Sequence, residues 1–128
     1  MDDRERYDKG MDIRRAVLGD AHVDRARAKL SPFNAELQDL IARYAWGEVW
    51  TRPGLPRATR SLVTLAMLIA LHRDEELRLH VRGAVANGVT PDEIKELVLH
   101  AAIYCGMPAA HSASRVVEDV LAAIAAGT

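Results

Sequence analysis

The segment EELRLHVRGAVANG, residues 75–88, places one histidine on the edge of an apolar stripe. Read as a helix, it aligns Leu77, Val81 and Ala84 on one face, because residues three and four positions apart are neighbours on a helix surface. His80 falls beside Leu77 and Ala84 on that pattern. An imidazole there is either a hydrogen-bonded core side chain or part of a site, since histidine is intermediate in burial and exchanges protons near neutral pH.

A second group of chemically capable side chains begins at Trp46, the last residue of the predicted third helix. It continues through GEVWTRPGLPRATRS, residues 47–61, which we interpret as a loop leading into a helix. Large aromatic side chains in a loop indicate that they pack against something. The arginines suit recognition of carboxylates, although a solvated helix start with surface ion pairs is the alternative and is favoured for Arg57. The group comprises Trp46, Glu48, Trp50, Arg52, Arg57 and Arg60.

The residue spacing gives little support to a metal site, a nucleophile motif or a phosphate-binding loop. His72 and His80 fall on different predicted elements, and no H-x-x-x-H pair or other metal-ligand spacing occurs. No G-x-S-x-G motif or phosphate-cradling glycine loop is present, and the single Cys105 lies in an apolar stretch. What remains is an acid/base site built from His, Glu and Arg with aromatic walls, needing neither metal nor nucleotide.

Composition narrows the class of protein. The 128 residues are 49% hydrophobic and 27% charged with a net charge of −1, which is typical of a globular protein and not of a general nucleic-acid binder. The charged start MDDRERYDKG lacks the apolar core of a signal peptide, and the apolar run SLVTLAMLIAL is too short to span a bilayer. One cysteine excludes an intramolecular disulfide. We expect a cytoplasmic protein with no membrane or nucleic-acid partner.

The elements that must position these residues are all helices. Strand patterns are almost absent, whereas helix boundaries are frequent, so we predict a single all-α domain, residues 1–128, of about six to seven helices. A longer and a shorter helix precede Leu30, and Ser31-Pro32 and Pro56 are expected to begin the next two. Asp74 is expected to cap the helix of His80, and Gly88 is expected to end it. The segment TPDE, residues 90–93, is expected to form a capping box at the start of the next helix. Pro108 is expected to begin the last helix.

Two predicted helices are apolar nearly all round, over residues 62–71 and 97–105. A helix without a polar face has to be covered on every side, and a chain of this length offers few helices to cover two of them. The last helix adds small residues, among them Ala110 and Ala113, that permit close approach. We therefore predict a homo-oligomer; the alternative is a compact monomer with a large alanine-rich core.

In combination, two motifs resemble a known family. The pattern GE-x-W-x-RPGL begins at Gly47, and H-x-x-x-A-x-x-NG-x-T-x-x-EI begins at His80. Together they resemble the carboxymuconolactone decarboxylase family of the alkylhydroperoxidase-like superfamily, from about Tyr7 through the last helix. The resemblance implies an all-helical subunit in a ring-like homohexamer. It also implies cofactor-free decarboxylation of 4-carboxymuconolactone to the β-ketoadipate enol-lactone, a step of protocatechuate catabolism.

The resemblance gives the candidate residues expected roles in that reaction. His80 is the expected proton donor, and Glu48 is expected to orient or charge its imidazole. Arg60, or failing it Arg52, is expected to clamp the carboxylate that the substrate keeps. Three aromatic side chains are expected to exclude water: Trp46, Trp50 and Tyr104.

Two alternatives stay open on the sequence. The chain is a non-enzymatic helical oligomer or a small-ligand binder with His80 in its core, or it is a peroxidase of the superfamily. Peroxidase members carry C-x-x-C shortly before the histidine that aligns with His80, and the stretch LHRDEELRLH has no cysteine there. Disulfide-based peroxide chemistry needs a second thiol, so the peroxidase is the less favoured alternative.

Overall fold

The computed structural model describes residues 1–128 as seven α-helices and one π-helix without any strand, which confirms the all-α prediction. The chain divides into two compact units, Met1–Pro56 and Arg57–Thr128. The first unit contains α1 (Asp3–Leu18), α2 (Asp20–Ala28), α3 (Ala35–Leu40) and a π-helix (Ile41–Val49). The second contains α4 (Arg57–Ala70), α5 (Asp74–Ala86), α6 (Pro91–Tyr104) and α7 (Met107–Ala125).

The first unit is organised by α1 packing along the π-helix. Ile13 and Val17 of α1 are buried with Trp46 in one apolar cluster, and Met11, Val23 and Ala42 form another. Each aliphatic side chain of this size contributes about 1.5–3 kcal/mol when it is fully removed from water. These contacts join residues of different helices, so the unit is held by packing between helices and not by local sequence alone.

The helix predicted to run through Trp46 continues to Val49 as a π-helix, so it replaces the first residues of the predicted loop. Helical backbone continues from α3 to Val49, and the Trp50 amide donates to the Ala45 carbonyl five residues earlier at 3.0 Å, which is the wider spacing of a π-helix. Trp46 and Trp50 consequently stack, with ring centroids 5.0 Å apart. The aromatic side chains do pack, as expected, but they do so from a helix.

The third helix begins later than predicted. Ser31 and Asn34 form a turn in which the Ser31 amide donates to the Asn34 side chain at 2.8 Å and the Asn34 side chain donates to the Lys29 carbonyl at 3.0 Å. Regular α-helix starts only at Ala35. Asparagine side chains often stabilise turns by bonding nearby backbone, and that local bonding delays the helix by several residues here.

The second unit buries one apolar core between its four helices. Leu65 of α4, Leu77 and Val81 of α5, and Ile94 of α6 are fully buried in it. The predicted helix boundaries around α5 and α6 are confirmed in part: Gly88 takes a left-handed φ of 92° after α5, and Thr90 and Glu93 form the capping box. These signals depend on residues close together in the chain, so they can be predicted from the sequence.

Two expectations for the second unit are wrong. Asp74 is the first residue of α5 and not its cap, since Arg73 occupies the cap position and α4 ends in a turn where His72 has a φ of 58°. Ala110 and Ala113 are buried within the second unit of the chain and are not an exposed close-packing surface. A charge at either alanine would disrupt the core of the unit before it reached any interface.

No helix of the protein combines the length and the apolar character that crossing a bilayer requires.

Candidate active site

His80 lies half-buried on α5, between solvent and the apolar core of the second unit. Leu77, Val81 and Ala84 on the same helix are buried, so the predicted apolar stripe is confirmed and His80 borders it. An imidazole at such a border is partly shielded from water and remains reachable by a ligand. The position fits a group that transfers protons.

Asn87 connects the helix of His80 to the helix of Arg60. It lies seven residues after His80, on the same side of α5, and its side-chain amide donates to the Ser61 hydroxyl at 2.9 Å. Ser61 is only 1% exposed and directly follows Arg60 on α4. No local sequence pattern pairs Asn87 with a serine 26 positions away.

Arg60 is half-buried in the first turn of α4, while Arg57 at the start of the same helix is exposed. The Thr64 hydroxyl donates to the Arg60 carbonyl at 2.8 Å. Helical spacing places Arg57, Arg60, Ser61 and Thr64 on one polar face of α4, which changes from exposed at Arg57 to buried at Ser61. Of its two arginines, Arg60 is the one whose surroundings suit a partly dehydrated carboxylate.

Tyr104 lies at the end of α6, where it is 79% exposed and stacks on His100 with ring centroids 5.0 Å apart. The two rings border an open groove of about 730 Å³ within the second unit. Its base is apolar and includes Leu62 and Leu97, whereas its border carries the acidic residues Asp92, Glu93 and Glu96. Three carboxylates at the border disfavour a dianionic substrate in this groove, because like charges repel.

Glu48 is held by an arginine that the sequence analysis did not single out. Arg6 of α1 donates from Nε to Glu48 Oε2 at 3.2 Å, and this hydrogen bond is the main cause that raises the pKa of Arg6. Arg6 also lies 5.5 Å from the centre of the Tyr44 ring. The two charged residues are 42 positions apart, so no sequence pattern predicts that they pair.

The predicted site residues are divided between the two units. Trp46, Glu48 and Trp50 belong to the π-helix and its end, and Arg52 lies exposed in the loop of residues 51–56. Arg60, His80 and Tyr104 belong to the second unit, where α4 and α5 pack against each other. Within that unit the structure brings the helices of Arg60 and His80 together through Ser61 and Asn87.

These features define an all-helical protein with a candidate acid/base histidine and a candidate carboxylate-binding arginine on adjacent helices. Comparison with known proteins gives the family: the model of the carboxymuconolactone decarboxylase family matches residues 35–119. The chain belongs to that family.

Three relatives carry related names. The 4-carboxymuconolactone decarboxylase of Acinetobacter baylyi is 53% identical over 120 residues, covering 94% of this chain and 90% of the relative. The nitrosuccinic acid decarboxylase of Metarhizium robertsii is 47% identical over 118 residues, covering 92% of this chain and 82% of the relative. A 4-carboxymuconolactone decarboxylase sequence from Pseudomonas putida is 60% identical over 48 residues, covering 38% of this chain and 100% of the relative.

Proposed function

We propose that this protein is a carboxy-lyase that converts 4-carboxymuconolactone to the β-ketoadipate enol-lactone, in the protocatechuate branch of aromatic catabolism. The observation that carries the proposal is the 53% identity to the Acinetobacter baylyi enzyme across 94% of the chain. The half-buried His80 on α5 is compatible with the proton transfer that such a reaction needs.

The chemistry of the substrate sets what the protein has to do. The departing carboxylate sits on a ring carbon that is linked through a C=C bond to the lactone carbonyl. When the bond to the carboxyl carbon breaks, its electron pair moves through the alkene onto the carbonyl oxygen. The resulting dienolate takes a proton at the carbon beside the carbonyl, so the substrate supplies its own electron sink and no cofactor is needed.

His80 is the proposed proton donor to the dienolate. Histidine exchanges a proton near neutral pH, and general acid catalysis typically contributes about 10²–10⁴-fold to a rate. The apolar residues around His80 on α5 limit the access of water to it from the core side. Glu48 keeps the supporting role that the resemblance implies, which is to orient or charge an imidazole, and its bond to Arg6 holds the carboxylate in a defined orientation.

Arg60 is the proposed partner of the acetate side arm that the product keeps, with Arg52 as the second candidate. Guanidinium and carboxylate are both planar, so they pair through two parallel hydrogen bonds and fix the substrate's orientation. The half-buried position of Arg60 strengthens such a pair relative to one in open water. Trp46 and Trp50 are the proposed aromatic walls, whereas the exposed Tyr104 beside the acidic groove does not support the wall role predicted for it.

Nitrosuccinate is the second candidate substrate, because a relative named for its decarboxylation is 47% identical over 92% of this chain. Like carboxymuconolactone it carries two carboxylates and an electron-accepting group. A nitro group next to the departing carboxylate would accept the electron pair as a nitronate. Both substrates therefore need an arginine clamp and a proton donor, and the difference lies in the shape of the binding site.

We also propose that the protein assembles with further copies of itself, and a hexamer is the expected state. Exposed apolar side chains form two stripes in the second unit, on α4 and around the end of α6, and α6 also exposes Tyr104. In the first unit Phe33 is 96% exposed. Apolar surface of this extent favours association. The two stripes are Val63, Met67 and Leu71, and Leu99, Ile103 and Met107.

Purified protein, incubated separately with 4-carboxymuconolactone and with nitrosuccinate, tests the proposed activity. We expect release of carbon dioxide from the lactone at a much higher kcat/KM than from nitrosuccinate, and no loss of rate in the presence of EDTA. The reverse order of substrates would assign the second activity. Release from neither substrate would leave a binding protein, and thiol-dependent consumption of peroxide would identify a peroxidase.

A further inference from the structure

Arg14 is a buried cation without a counter-charge. Its side chain on α1 lies in the first unit and the residue is only 9% exposed. The guanidinium makes one hydrogen bond, from Nη2 to Gln38 Oε1 at 3.3 Å, and its Nε has no partner. No carboxylate lies within ion-pair distance of it, although several arginines nearby in the chain are paired. Burying an unpaired guanidinium is costly, because arginine does not lose its proton to avoid the cost.

A partly enclosed cavity of about 90 Å³ adjoins this guanidinium. Tyr7 and Gln38 supply further polar groups to its wall, and Arg27 adds a second positive charge. Asp39 is the only carboxylate in the wall, and it is engaged by Arg43, whose Nε donates to Asp39 Oδ2 at 2.8 Å. The cavity therefore has a surplus of positive charge.

The pKa of the neighbouring His22 is affected by the same positive charge. Burial lowers the pKa of His22, and the charges of Arg14, Arg25 and Lys29 lower it further. Burial likewise lowers the pKa of Arg14. The shift at His22 has the sign expected where positive charge is concentrated and water is partly excluded, and the shift at Arg14 has the sign expected from burial alone.

We propose that this cavity is a binding site for a small planar carboxylate anion of the formate, acetate and bicarbonate class, with Arg14 as its anchor. The Nη groups of a guanidinium present N–H donors in one plane that match the two oxygens of such an anion. The cavity is far below the roughly 300–1,000 Å³ of pockets that hold drug-sized ligands, so a ring-bearing dicarboxylate does not fit. None of the residues proposed for catalysis lines it.

Binding of sodium formate and sodium acetate to the full-length protein tests the proposal. The binding is measured by ¹³C NMR of labelled formate and by thermal unfolding. Sodium chloride at equal ionic strength is the reference. We expect saturable binding and a raised unfolding midpoint with the carboxylates but not with chloride. Arg14→Met should weaken binding at least tenfold. Arg25→Met, which removes an exposed arginine of α2 outside the cavity wall, should leave it unchanged.

A second variant keeps the test decisive if Arg14→Met does not fold. Gln38→Glu places a carboxylate where the Gln38 oxygen already meets Arg14 Nη2 at 3.3 Å. We expect this variant to unfold at a higher temperature than wild type and to lose the response to formate. Equal effects of chloride and formate on wild type, or an unchanged formate response in Gln38→Glu, would overturn the proposal and leave the cavity to water.

Discussion

The half-buried position of His80 follows from its place on α5, one residue before the buried Val81 and three after the buried Leu77. The helical periodicity alone brings the imidazole to the border of the core. A group there loses part of its hydration without losing access to a ligand, which is what proton transfer to carbon requires. His111 on α7 is exposed and lacks this setting.

His80→Ala should lower kcat for carboxymuconolactone by at least about 100-fold, as expected for the loss of a general acid. His111→Ala is the matched control and should retain wild-type turnover. Circular dichroism and thermal unfolding of both variants establish that they are folded. Turnover near wild type in folded His80→Ala would move the proton donor elsewhere, and failure of that variant to fold would favour a core role.

His22 should make the stability of the protein depend on pH. Its pKa is lowered mainly by burial, so the unfolded chain takes the proton first as the pH falls. The stability that the neutral imidazole contributes is present above the unfolded value of about 6.5 and is lost as the pH falls towards the lower folded value.

The midpoint of thermal unfolding, measured at about pH 7.5 and at about pH 5, tests this prediction through its fall between the two values. His22→Gln should show a smaller fall than wild type, because the variant has no imidazole to protonate. His111→Gln, at an exposed position, should fall as wild type does. A His22→Gln protein whose midpoint falls as far as that of wild type would contradict the assignment.

At the scale of elements, two glycines set how closely α1 approaches the π-helix. A Cβ at Gly47 would collide with the backbone carbonyl of Arg6, and one at Gly10 would collide with the backbone carbonyl of Ala42. Backbone atoms cannot move aside as a flexible side chain does. The close approach also accounts for Gly47 within the GE-x-W motif, since Glu48 beside it meets Arg6.

Gly47→Ala should destabilise the protein by about 1–3 kcal/mol or more, which is the usual cost of overpacking. Gly54→Ala is the matched control, because a Cβ at Gly54 meets nothing within 4 Å and its φ is not positive. Urea unfolding of the two variants measures the difference. Equal free energies of unfolding for both variants would mean that the helices separate at little cost.

The bond between Asn87 and Ser61 joins α5 to α4 and should be asymmetric in its energetics. Asn87→Ala leaves the fully buried Ser61 hydroxyl without this partner, which costs about 1–3 kcal/mol. Ser61→Ala leaves the amide of a half-buried asparagine that water can reach, and it should cost less. Urea unfolding of the two single variants and the double variant measures the loss of unfolding free energy in each and the coupling between the two residues. A larger loss of unfolding free energy in Ser61→Ala than in Asn87→Ala would contradict this account.

For the molecule as a whole, the exposed apolar stripes favour self-association. Light scattering should give a mass several times the 14.1 kDa of one chain, with interfaces above about 2,000 Å². Ile103→Asp should split the assembly, because it buries an unpaired charge in an apolar contact. Ser112→Asp, which adds the same charge at an exposed polar position of α7, should not. A monomeric wild type at micromolar concentration would refute the assembly.

The sequence by itself determined the elements whose signals are local. The capping box at Thr90, the left-handed Gly88 and the apolar periodicity of α5 each depend on residues within a few positions of one another. For that reason the all-helical class, most helix boundaries and the border position of His80 can be predicted from the sequence. The family motifs are local in the same sense.

Tertiary structure decided what depends on residues far apart in the chain. The pairing of Arg6 with Glu48 and the burial of Ala113 have no local signature, because each results from helices packing together. The unpaired charge of Arg14 belongs to the same category. An arginine in an amphipathic helix is expected to reach solvent, and only the packing of the first unit around it leaves a guanidinium beside a partly enclosed cavity.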